Sequence, residues 1–264
     1  MFDQYLERWR LTPDGEPVHT HSSDLLPVLR AGRPAMLKIA RTDEEERGNA
    51  LMAWWAGNGA ASLLEHDGPA LLMERALGRS SLADWARGSR DSEATRILCK
   101  VAVRLHSHAA PAPPETVPLS AWFRELVDGA ASEGPLAAAA STAAELLATQ
   151  RDVAVLHGDL HHGNVLDFSG GGWRAIDPKG LLGEHAFDLV NMLRNPDLET
   201  AAAPGRLARQ ASVIAKEAGI ERERLIRWLV AFSGLSAAWH LAEGDDPKPD
   251  LAMIEIAKAE LGGL

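Results

Sequence analysis

The chain has 264 residues, enough for one large domain or two lobes around a buried core. With 46% apolar and 24% charged residues its composition excludes a largely disordered chain. A formal charge of −10 at pH 7 argues against a nucleic-acid partner and favours cationic ligands, so a nucleotide would need a metal ion beside it.

The first 75 or so residues read as β-rich. "RWRL" leads into the turn "TPDGE", and "DLLPVL", "RAGR" and "PAMLKIA" form a hairpin pattern. A helix is expected from about Asp43 to Gly57, with Thr42 and Glu45 placed as a capping box. "SLLEHDGPALLMER" repeats the hairpin pattern with its turn at His66-Asp67-Gly68. A connector near 75 to 80 then gives way to helices. Ile97, Val101 and Leu105 lie at four-residue spacing, and Cys99, the single cysteine, falls among them as a core residue. After the proline-rich break 110–118, Ser120 is placed to cap a helix through Trp122 and Leu126, and residues 135 to 149 are Ala-rich and helical. A β island follows: "VAVL", "NVLDF", the turn "SGGG" and "WRAI". The remainder reads as helices at 204–218, 222–241 and 249–261.

The β island carries the polar cluster. "HGDLHHGN" sets Asp159 and Asn164 on one loop. Asp177 follows Asn164 after strand 165–168, glycine turn 170–172 and strand 173–176, a hairpin that returns Asp177 to Asn164. A carboxylate and an amide oxygen at adjacent loop ends suit Mg²⁺. An Asp that accepts a hydroxyl proton, beside an Asn and an Asp that hold metal, is the set needed for phosphoryl transfer. Lys38, mid-strand in "PAMLKIA", is the candidate cation for the α/β-phosphates. The adjacent His161 and His162 point apart and have no thiol or H-E-x-x-H pattern to complete a zinc site. Trp54, Trp55, Trp122, Trp228 and Trp239 are read first as packing residues, with the last three as possible walls of an acceptor pocket.

"HGDLHHGN" with "IDPKG" resembles the catalytic and metal loops of the aminoglycoside phosphotransferases, and the likeness runs through the whole chain. More narrowly, "LHGDLHHGNVLDF", "GWRAIDPKGLLGE", "RNPDLET" and "GLSAAW" look like the streptomycin 6-kinases, a subfamily that also includes hydroxyurea kinases. The resemblance implies an α+β, bilobal protein-kinase-like fold. Residues 1–76 would be a small β-rich nucleotide-binding lobe with one helix. Residues 77–264 would be a larger helical lobe with both loops and the acceptor site. It implies ATP and Mg²⁺, with Asp159 as catalytic base, Asn164 and Asp177 as metal ligands, and Lys38 on the phosphates. Backbone from Glu74 to Ala76 would hold the adenine edge, and Asp188 would brace the catalytic loop. The implied reaction is phosphorylation of streptomycin at its 6-hydroxyl, giving antibiotic resistance.

Two departures from the kinase pattern stand out. The phosphate turn "HTHSSDLL" has no glycine, so Ser22 and Ser23 are the candidate donors there. The helix acid that pairs with Lys38 could be Glu44, Glu45 or Glu46. Glu45 is chosen, although it fits the capping box almost as well. For a cationic acceptor, Glu184 is the first carboxylate expected, with Asp197, Glu199, Glu243, Asp245 and Asp246 as further candidates. The chain lacks an apolar leader core and any run of about eighteen apolar residues. A cytoplasmic monomer with no membrane or nucleic-acid partner is therefore expected. The competing readings are a kinase of another small hydroxylated molecule, such as hydroxyurea or a metabolite, and a nucleotide-binding module without turnover.

Overall fold

The computed structural model describes residues 2–108, 112–129 and 134–262. The start of the expected proline-rich break lies outside them. The N-terminal part is helix α1 (Asp3–Arg8), then strands β1 (Leu11–Pro13), β2 (Val18–His19), β3 (Ser23–Arg30) and β4 (Arg33–Ala40). Helix α2 (Asp43–Trp55) and strands β5 (Leu63–Asp67) and β6 (Ala70–Glu74) complete it. One antiparallel sheet takes all six strands in the order β1-β3-β4-β6-β5, with β2 on β3. The β3–β4 hairpin turns on Ala31 and Gly32, both at positive φ (49° and 75°), the geometry a two-residue hairpin needs. The expected single helix of this lobe is corrected by α1. Arg8 and Trp9 of "RWRL" belong to that helix and its cap, and the strand begins at Leu11.

Strand alternation decides where Lys38 points. Ala35, Leu37 and Ile39 join Tyr5, Val28 and Leu72 in a core on one face of the sheet. Met36 and Lys38 therefore face the other side, toward α2. Thr42 caps α2, its Oγ1 accepting from Glu45 N at 3.3 Å, and Ala56 ends the helix in the left-handed conformation. Only half of the capping box forms, because the Glu45 carboxylate goes to Lys38 instead.

The rest is mainly helical: α3 (Leu82–Arg87), α4 (Asp91–His106), α5 (Leu119–Trp122), α6 (Arg124–Gly129) and α7 (Pro135–Ala148), then α8 (Asn191–Arg194), α9 (Leu198–Ala201), α10 (Arg206–Ala218), α11 (Arg222–Glu243) and α12 (Lys248–Gly262). Strand β7 (Val117–Pro118) precedes α5, and β8 (Val153–Leu156), β9 (Val165–Asp167), β10 (Trp173–Ala175) and β11 (Leu181–Glu184) interrupt the helices between α7 and α8. The expected hairpin forms from β9 and β10, while β8 pairs with β11 and β11 with β7. Ser120 does not cap: the helix starts after Pro118 without a side-chain cap bond. Helix α11 is long and apolar enough to cross a membrane, but it runs through the core, with Leu225, Trp228, Leu229, Phe232 and Leu235 buried among α7, α10 and α12.

Candidate active site

Three loops and one strand converge on the polar cluster. The loop expected to be catalytic, residues 157–164, leaves the buried end of β8. His157 is fully buried; its Nε2 pairs with the Ile176 carbonyl at 2.8 Å and its Nδ1 accepts from Asp159 N at 3.2 Å. These two bonds fix the Nε2–H tautomer, and burial holds the imidazole below its ordinary pKa and neutral. Asp188, equally buried, accepts from His157 N at 2.8 Å, Gly158 N at 2.6 Å and His106 Nε2 at 2.8 Å. Burial alone would raise its pKa; His106 foremost, with the Gly158 N–H, outweighs that and keeps it below its usual range. Asp188 thus clamps the loop, as expected.

The Asp159 carboxylate is half-buried, with each oxygen met by a neutral amide. Asn191 Nδ2 donates to Oδ1 at 2.7 Å and Asn164 Nδ2 to Oδ2 at 3.2 Å. No Lys or Arg among the described residues pairs with it. Sequence reasoning missed Asn191, although it sits three residues past Asp188 in "HAFDLVN". Asn164 also donates to Asp159 O at 2.9 Å, and among the described residues no donor reaches its own amide oxygen.

Asp177 meets Asn164 as the hairpin required: Ile176 N donates to Asn164 O at 2.9 Å. Asp177 has φ +63°, a left-handed conformation that Asp tolerates better than most residues. Its Oδ1 accepts from Lys38. Burial opposes its charge, but Lys38 and Lys179 prevail and keep the carboxyl below its usual range. Lys38 is 4% exposed and also pairs with Glu45, which settles the choice among the three glutamates for the buried pair. Glu45 accepts in addition from Ser22 Oγ at 3.2 Å and Lys179 Nζ at 3.1 Å, and Glu44 from Lys179 at 2.9 Å. Gly48 permits this assembly, since a Cβ there would stand 2.2 Å from the Pro178 carbonyl oxygen.

Two cavities are lined by these groups. A cleft of about 270 Å³ is lined by Thr20, Ser22, Ser23, Lys38, Asp177 and the apolar Leu25, Met52, Leu71, Met73 and Ile176. Its glycine-free turn is tied by the Thr20 hydroxyl: Ser23 N donates to Thr20 Oγ1 at 3.0 Å, and Thr20 Oγ1 donates to Ser23 O at 2.9 Å. At the expected hinge, the Glu74 side chain is held by Arg174 and by Ser62 N at 2.9 Å, and its N–H by Ser62 O at 2.9 Å. Ala76 is half-buried in the connector that follows. A second cavity, about 560 Å³, is lined by Asp159, Gly158, Lys179, Glu44 and one face of α11: Phe232, Ser236, Trp239, His240 and Glu243. Trp122 completes the wall, edge-on to Trp239 at 5.4 Å between ring centroids.

Two expected acceptor contacts are corrected. Glu184 is 2% exposed and locked to Arg224, which reaches Oε1 at 2.6 Å and Oε2 at 2.5 Å. Asp197 caps α9, accepting from Thr200 N at 2.8 Å and Arg87 Nε at 2.7 Å; these bonds hold its carboxyl at about 2. It lines a different cleft. Of the candidate acids only Glu243 borders the Asp159 cavity, joined there by Glu44. The i, i+3, i+4, i+7 spacing of Ser236, Trp239, His240 and Glu243 was the available signal. Trp228 and Trp55 are buried in the core. His161 Nδ1 accepts from Gly163 N at 2.9 Å, and among the described residues no group of three His, Cys, Asp or Glu side chains could hold a metal by itself.

Residues 8–244 match the family model described as "Aminoglycoside/hydroxyurea antibiotic resistance kinase". The chain is 51% identical over 244 residues to a streptomycin 3''-kinase of Klebsiella pneumoniae, covering 90% of this chain and 92% of that one. It is 32% identical to a streptomycin 6-kinase of Streptomyces griseus, covering 97% and 86%. The fold resembles the crystal structure of a choline/ethanolamine kinase family protein from Mesorhizobium loti, with TM-score 0.68 at 15% identity over 94% of this chain and 88% of that one.

Proposed function

The chain belongs to the aminoglycoside/hydroxyurea antibiotic resistance kinases, and from that membership we propose that it transfers the γ-phosphoryl group of ATP to the 3''-hydroxyl of streptomycin. The observation that carries the choice of hydroxyl is the 51% identity to a streptomycin 3''-kinase over 92% of its length. The expected 6-hydroxyl rests on loop motifs and on relatives such as the one at 32% identity, and it stays as the second reading.

In this reading Asp159 aligns the acceptor hydroxyl and takes its proton. Its two amide partners orient the carboxylate without neutralising it, which suits a group that must accept a proton during transfer. Lys38 and the hydroxyl-lined turn hold phosphates, and the connector backbone from Glu74 to Ala76 borders the adenine. Asn164 and Asp177 would hold Mg²⁺. The fit is supported by their chemistry: both offer hard oxygen donors, among the described residues no donor reaches the Asn164 amide oxygen, and two protein ligands are what a Mg²⁺ shared with phosphates takes. When bound, the ion offsets phosphate charge. Glu44 and Glu243, with Trp122 and Trp239, offer the acid and aromatic surface that guanidinium groups favour.

The test is to incubate the protein with ATP, Mg²⁺ and streptomycin and to map the product by mass spectrometry and ³¹P–¹H NMR. A phosphate on the 3''-oxygen is expected, and chelating the metal should stop its formation. Phosphate on the 6-oxygen would overturn the position. Turnover with hydroxyurea and none with streptomycin would overturn the acceptor.

A further inference from the structure

The catalytic loop from His157 to Asn164 contains no Lys or Arg, so no such side chain of the loop itself meets the charge that builds on a phosphoryl group near Asp159. Among the described residues, Lys179 is the only lysine or arginine that lines the cavity that Asp159 lines. Its position is fixed from both ends. Its backbone N–H donates to His157 O at 2.7 Å, and its ammonium is held by Glu44 at 2.9 Å and Glu45 at 3.1 Å. An ammonium has three N–H donors, so one is left over. Glu45 is shared with Lys38, which lines the nucleotide cleft. One buried carboxylate therefore tethers two lysines, one bordering each cavity.

A lysine that only fastened α2 to the "IDPKG" loop would have no reason to border the acceptor cavity. The ties that do fasten this fold are closed off, as Arg224 is by Glu184 and the Thr149 carbonyl. Fixed donors aimed at developing charge in a partly dehydrated site contribute strongly to transfer.

We propose that Lys179 is a further catalytic residue, its ammonium contacting the γ-phosphoryl oxygens as the group passes from the cleft to the acceptor. In that step the bond from the γ-phosphorus to the oxygen bridging it to ADP breaks, and that oxygen leaves on ADP. A new bond forms from the acceptor oxygen to the phosphorus, and the hydroxyl proton goes to Asp159. Lys179 stays protonated and changes no covalent bond. The inference rests on the family's kinase activity and not on streptomycin as the acceptor.

The test uses the full chain with Mg²⁺ and no acceptor. Calorimetry compares the affinity for ADP alone with that for ADP plus aluminium fluoride, a planar anionic mimic of the phosphoryl group in flight. Lys179→Gln keeps donors for Glu44 and Glu45 but removes the charge; Lys179→Arg keeps the charge. For Lys179→Gln, ADP affinity should stay within about threefold while affinity for the mimic falls about 100-fold. Lys179→Arg should recover most of that loss. Equal mimic affinity in wild type and Lys179→Gln, or a parallel loss of ADP and mimic in both variants, would overturn the proposal. Failure of streptomycin to stimulate turnover would strike the acceptor reading and leave this result standing.

Discussion

Two clefts of similar size hold their carboxylates in opposite ways. The cavity at Asp159, about 560 Å³, presents that carboxylate to solvent with two neutral amides on it and no Lys or Arg paired to it among the described residues. The cleft between α3, α4 and α10, about 610 Å³, is more heavily charged, yet two of its three acids are matched: Asp91 takes Arg206 Nε at 2.9 Å and Nη2 at 3.0 Å, and Asp197 takes Arg87. A carboxylate with both oxygens taken by one guanidinium is a poor base. Counting charged residues would choose the second cleft; asking which charge is held in place but left unneutralised chooses the first.

The comparison can be broken by substitution. The largest effect is expected at Asp177→Ala, which should weaken Mg²⁺–ATP binding on the order of 100-fold, as read by calorimetry. Unchanged affinity would remove Asp177 from the metal site. In the second cleft, Asp91→Asn leaves the 2%-exposed Arg206 without its counter-charge. It should cost about 3 kcal/mol in denaturant unfolding while the turnover of the folded enzyme stays at wild type. A fall in turnover at full folding would make that cleft functional.

Asp188→Asn should lower stability by about 2 kcal/mol, because two buried N–H groups lose a charged acceptor. It should also reduce turnover by loosening the loop, and a stability loss with normal turnover would leave it a fold residue only. The smallest effect at neutral pH is expected at His162. Burial first, then the charges of Arg206, His161 and Arg87, push its pKa from 6.5 down to about 3. The unfolded chain therefore takes up a proton that the folded chain refuses, and stability falls as pH drops from about 6.5 toward about 3. His162→Leu should flatten that acid limb in thermal unfolding followed against pH. An unchanged slope would contradict the assignment.

What the sequence revealed depended on distance along the chain. Asp159, Asn164 and Asp177 could be read because one loop and one hairpin place them, and Lys38 because strand alternation leaves only one face for it. Glu184 was misjudged from its nearness to Asp177. Strand β11 carries it into the core, where its partner Arg224 comes forty residues later and leaves no local signal. Lys179 was visible in "IDPKG", but its two glutamates lie on α2 and only the folded chain brings them together. Helix α1, six residues with one buried side chain, is too short for a helical stripe to be seen.

The most direct test of the account is ADP release from Mg²⁺–ATP, with and without streptomycin, in wild type and in Asp159→Asn. Streptomycin should stimulate release by the wild type. The variant should lose that stimulation by on the order of 1000-fold while binding Mg²⁺–ATP within a few-fold of wild type. Streptomycin-stimulated release that persists in Asp159→Asn would contradict the claim that the unneutralised carboxylate in the first cleft carries the chemistry.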